Sequence, residues 1–74
     1  MDENDIARMV RDALTYVGGL NESYLRIRCH RGVIVLAGMA FTEAQRREAE
    51  DIARAIPGVR RVVNEITLVG ARGG

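Results

Sequence analysis

Residues 32–66 run Gly32-Val-Ile-Val-Leu-Ala-Gly38, then Thr42-Glu-Ala-Gln-Arg-Arg-Glu-Ala-Glu-Asp-Ile-Ala53, then Ile56-Pro-Gly-Val59 and on through Val62-Val-Asn64. Apolar residues alternate in the first segment, recur at helical spacing in the second, and alternate again after Gly58. Thr42 with Gln45 three positions on forms a capping box that starts the helix, and Pro57-Gly58 ends it. This is a strand-helix-strand unit with a break at each junction. It carries no obvious catalytic chemistry and points to a small α/β binding module.

Upstream, Ile6, Met9, Val10, Ala13, Leu14 and Val17 form one apolar stripe on a first helix. Asp2, Asn4 and Asp5 offer it a cap and suit its positive end, and Gly18-Gly19 stops it. Residues 24–30 alternate, with Leu25, Ile27 and Cys29 on one side and Tyr24, Arg26, Arg28 and His30 on the other. Arg31-Gly32 then reads as a tight turn into a second strand, 33–39, which makes an antiparallel hairpin. The second helix should bury Ala49, Ile52, Ala53, Ile56 and part of Ala44. Its other face, with Glu43, Arg46, Arg47, Glu50, Asp51 and Arg54, should be solvated. A last strand, about 60–69, alternates through Val62, Asn64, Ile66 and Leu68.

The expected fold is therefore α+β in the order α-β-β-α-β, two helices on one face of a three-stranded mixed sheet. The first strand is expected in the middle, which avoids a crossover between immediate neighbours. One domain is expected over residues 1–70, with 71–74 a flexible tail. The glycine-started strand Ile34-x-Leu36-x-Gly38, the helix with Ala49-x-x-Ile52-Ala53, and Gly58-Val59-x-x-Val62-x-Asn64 resemble the BON domain, named for bacterial osmotic-stress and nodulation proteins. The likeness spans about residues 5–69, and its specificity lies in order and spacing rather than in any single motif. One departure is Ala40, where the family more often has a larger aliphatic residue. The unit is also similar to the ring-building modules of secretion systems.

Composition sets the outer bounds. The chain has 74 residues, 47% hydrophobic and 28% charged, as suits one globular domain. A net charge of +1 favours neither nucleic acid nor an acidic membrane on bulk electrostatics alone, and no nucleic-acid partner is expected. All eleven basic residues are arginine, the better bidentate partner for phosphate. No run approaches the ~18 apolar residues of a membrane span. The acidic N-terminus lacks the apolar core of a secretory signal, so the chain as written reads as cytoplasmic. The better-known members of the family it resembles are exported, which would make a fragment of such a protein periplasmic.

Catalysis and metal binding find no footing in the residues. The single cysteine, Cys29, forms no intramolecular disulfide, is expected buried, and as a strand neighbour of the only histidine, His30, points away from it. One histidine supplies too few ligands for a metal, and no cofactor is expected. The terminal Arg72-Gly-Gly74 and the Gly70-x-x-Gly73 spacing lie outside the contexts that would make them a modifier tail or an RNA-binding loop. Gly32, Gly38, Thr42, Gly58 and Asn64 read as structural, Asn64 because an amide on an apolar strand face must bond a backbone group.

The functional signal is the sheet face away from the helices. It should show an apolar strip beside an arginine ladder, with Tyr24, Arg26, Arg28, Val33, Val35, Met39 and Val63 as the contact residues. The resemblance implies phospholipid head groups as one partner, in stress response or envelope maintenance; the exposed strip itself suits a protein partner. The alternative is a self-assembling module that buries the strip against a second copy. Ion or small-ligand binding, known in the family's range, has no residue signature in this chain.

Overall fold

The computed structural model describes residues 2–16 and 25–69. Their order is α1 (Glu3–Tyr16), β1 (Leu25–His30), β2 (Val33–Ala40), α2 (Glu43–Arg54) and β3 (Arg61–Leu68). This is an α+β fold, with two helices and one three-stranded mixed sheet. Val17, Gly18, Gly19, Tyr24 and residues 70–74 lie outside the described residues.

The strand order is β1-β2-β3, which corrects the expectation that the first strand is central. Two local constraints put β2 in the middle. The two-residue turn pairs β1 with one edge of β2, antiparallel from His30↔Val33 to Leu25↔Gly38. The crossover through α2 lays β3 parallel and directly beside β2, from Val33↔Arg61 to Ala40↔Leu68. A helical crossover between adjacent parallel strands is the ordinary solution, not one to avoid. β2 is also apolar on both faces, as a central strand should be, whereas β1 carries the arginines of an edge strand.

The core forms where the helix stripes meet one face of the sheet. Ile6, Val10 and Leu14 from α1 and Ala49 and Ala53 from α2 close over Leu25, Ile27, Ile34, Leu36, Ala40 and Ile66. The small alanines of α2 let that helix lie close to the sheet. Ala40 is buried in the cluster, so the shorter side chain at this position is still a core residue. Several expectations need correcting. Ile52 and Ile56 are half-buried against the core rather than buried. Ala44 is exposed. Leu68 is 38% exposed, being the last residue of an edge strand. Cys29 is half-buried rather than buried, because it lies on β1, at the other edge of the sheet, two residues from the turn.

The junctions follow from a few local bonds. The Thr42 hydroxyl accepts from the Gln45 backbone at 3.1 Å, and the Gln45 side chain accepts from the Thr42 and Phe41 backbones at 3.3 and 2.9 Å. At the hairpin, Arg31 has φ 53° and Gly32 has φ 82°, the left-handed pair that a two-residue turn requires. The buried Gly32 has a second reason to lack a side chain, since a Cβ there would sit 2.7 Å from the Arg60 stem. Its carbonyl accepts from the Arg60 and Arg61 backbones at 2.7 and 3.3 Å, which joins the hairpin to the start of β3. Gly38 (φ 133°) occupies a region of backbone space open to glycine alone, in mid-strand. Gly58 brings the turn after α2 against Ile6.

Thr42→Ala should lower stability by about 1 kcal/mol through loss of the cap, read as a shifted denaturation midpoint at unchanged slope. Gly32→Ala should cost about 1–2 kcal/mol for the left-handed backbone alone. Displacement of the Arg60 stem adds to that. A Gly32→Ala protein as stable as the parent would show that the turn has another geometry.

Candidate functional site

Strand register assigns every side chain on the face away from the helices. Arg26, Arg28 and His30 come from β1, Val33, Val35, Ala37 and Met39 from β2, and Arg61, Val63, Glu65 and Thr67 from β3. Across the strands they form rows: His30–Val33–Arg61, Arg28–Val35–Val63, Arg26–Ala37–Glu65 and Met39–Thr67. The apolar strip runs down β2 with cations beside it, as the alternation implied. It is shallower than a bare valine ladder: Val33, Val35, Ala37 and Val63 are half-buried and only Met39, at 42%, is well exposed.

The strip ends in a depression of about 500 Å³ beside the hairpin turn, lined by Arg28, His30, Arg31, Val33, Val35 and Glu65. Arg28, Val33 and Val35 of the expected contact set meet there. Arg26, Met39 and Val63 stand elsewhere on the face, and Tyr24 falls outside the described residues. The walls differ in sign. Arg28, His30 and Arg31 form the β1 side, and Glu65 the β3 side. Among the described residues Arg28, Arg31, Arg60 and Arg61 form no ion pair.

Arg31 joins the expected contact residues in the lining, while Arg60 and Arg61 stand beside the same turn without lining the depression. With β3 beside β2, the residues that begin β3 fall next to the hairpin turn. On the helix side of the same end, Glu3 in the acidic first turn of α1 accepts from the Arg31 backbone at 2.7 Å and lies 3.9 Å from His30 Nδ1. One end of the module thus has a cationic open side and an acidic helical side.

The two sheet edges are built differently. In β3 the odd residues bond to β2, as the Arg61 and Val69 amides show, so the peptide groups of Ile66 point outward. Side chains meet them there. Asn64 Oδ1 accepts from the Ile66 amide at 3.1 Å, and Arg46 Nε donates to the Ile66 carbonyl at 3.1 Å. The Asn64 amide nitrogen in turn donates to the Arg46 carbonyl of α2 at 2.8 Å. Asn64 was expected to bond a backbone group near a bulge or helix end; it bonds its own strand and the middle of α2. Arg46, expected on the solvated face, is a partner in this clasp.

The Ala37-facing row and the turn-end depression contain no nucleophile with a base oriented toward it. Among the described residues no three of His, Cys, Asp or Glu gather as a metal site. No described helix is long and apolar enough to cross a membrane.

The BON domain family model matches residues 2–70, nearly the whole chain, and the chain belongs to that family. The BON domain is a binding-type module. No curated protein matches the chain.

Because Asn64 and Arg46 cover the outward peptide of β3, replacing both with alanine should open that edge. The doubly substituted protein should self-associate at concentrations where the parent sediments as a single species. If it does not, the clasp serves only to hold α2 on the sheet.

Proposed function

We propose that this BON domain is a non-catalytic module that binds phospholipid head groups through the turn end of its open sheet face. One observation carries the reading: two arginines, Arg28 and Arg31, gather with His30 around an apolar floor of Val33 and Val35. A phosphate group needs convergent donors, which arginine supplies bidentately. The floor and the neighbouring Met39 offer apolar contact to the interfacial region of a lipid. Glu3 of the acidic first turn of α1 lies on the helix side of the same end, 3.9 Å from His30 Nδ1, so the open face is the one to turn toward an anionic surface. Such contact suits a role in stress response or envelope maintenance, whether the chain works in the cytoplasm or as part of an exported protein.

Glu65 is the dissonant group, a carboxylate in the wall of a site for phosphate. It opposes binding to purely anionic surfaces and gives the site a sense of orientation. Its removal is therefore informative in sign.

Co-sedimentation with vesicles of phosphatidylglycerol and phosphatidylcholine tests the reading. Binding should fall as salt rises. Arg28→Gln should weaken it about fivefold, since each arginine near such a surface contributes ~1 kcal/mol. Glu65→Gln should strengthen it. Arg47→Gln, with the same change of net charge on the exposed face of α2, should have less effect than Arg28→Gln. Equal loss from both would reduce the attraction to bulk charge, and a protein that ignores anionic vesicles would remove the proposal.

A further inference from the structure

We infer that the outer edge of β1 accepts an extended segment of a partner protein, one with carboxylates at alternate positions, as a fourth strand. This goes beyond lipid contact, because the bonds it needs come from the backbone of an edge and not from the face.

The argument begins with the difference between the edges. The β3 edge is occupied at Ile66 by Asn64 and Arg46, on one amide and one carbonyl. Among the described residues no side chain performs that office for β1. The two-residue turn makes His30↔Val33 the closing, mutually bonded pair. Bonded pairs alternate along an antiparallel ladder, so Arg28 and Arg26 also turn their peptides to β2. The peptide groups of Leu25, Ile27 and Cys29 then face outward. Leu25 and Ile27, buried at 7% and 8%, anchor this edge strand to the core through their side chains.

Charge selects the occupant. β1 projects Arg26, Arg28 and His30 from the open face, all exposed. A second copy pairing through its own β1 would set arginine opposite arginine, a destabilising cross-strand arrangement. The β3 edge of a second copy is occupied at its Ile66 peptide groups. A strand whose open-face positions are glutamate or aspartate places carboxylates opposite Arg26 and Arg28, within cross-strand reach. Its alternate residues fall on the helix side beside Leu25, Ile27 and the half-buried Cys29, where apolar side chains extend the core. The occupant is therefore an acidic–apolar alternating segment, held by main-chain bonds and selected by charge.

A short fluorescein-labelled peptide of alternating glutamate and valine provides the probe, with fluorescence anisotropy as the measurement and no lipid present. It should bind saturably. The same peptide N-methylated at alternate amides on its β1-facing edge should bind roughly tenfold or more weakly, since each methyl group removes a donor and blocks pairing. Amide exchange at Leu25, Ile27 and Cys29 should slow on binding. Arg26→Glu with Arg28→Glu should lose the glutamate peptide and gain the matching lysine–valine peptide, a reversal that an unfolded variant could not show. Equal affinity for the methylated and unmethylated peptides would overturn the inference, as would protection confined to β3. Because vesicles are absent, failure here leaves the lipid reading standing, and failure of the vesicle experiment leaves this one standing.

Discussion

The Gly32 carbonyl is the joint of the molecule. It accepts from the backbones of Arg60 and Arg61, so the hairpin turn and the first residue of β3 are held at one point. The register of the parallel pair starts from that point at Val33↔Arg61, and each row across the open face follows. A left-handed backbone at Arg31 and Gly32 and the Arg60 stem packed against Gly32 leave no room for a side chain. The same joint assembles the candidate site. It brings Arg28, His30 and Arg31 from one supersecondary unit to Arg60 and Arg61 from the other, so the charge cluster is a consequence of how the two units are tied.

The elements were legible because periodicity and punctuation agree along this chain. The helix stripe of Ile6, Val10 and Leu14, the capping box at Thr42 and the turn at Arg31-Gly32 each have a local cause. Strand order was not legible in the same way, since it depends on where a crossover returns. The information was present in a weaker form: β2 is apolar on both faces and β1 alternates with arginine, which marks the centre and the edge. Arg28, Val33 and Val35 were identified from alternation within single strands. Arg31 belongs to the turn and is local as well; the approach of Arg60 and Arg61 depends on which strands are neighbours, and no local pattern carries that.

Asn64 and Arg46 illustrate a different limit. That Asn64 bonds backbone follows from its position on an apolar strand face. Its partners follow only from the packing of α2 against β3. Arg46 looks like any solvated arginine on a helix, where an ion pair with Glu43 would have been its whole role. In the fold its guanidinium also takes the Ile66 carbonyl, so one side chain both joins its helix to the sheet and covers part of an edge.

The asymmetry between the edges bears on how so small a sheet can remain a binding surface. Three strands offer two edges, and each is a template for unwanted pairing. Covering both with side chains would leave only the face for recognition. Covering neither would invite head-to-tail growth, with β3 of one copy adding to β1 of the next. Occupying β3 at Ile66 works against that chain of contacts, because heterologous growth needs both edges. The arginines on β1 then discourage symmetric self-pairing through like charge. What remains is an arginine-bearing edge and the open face, adjacent along β1.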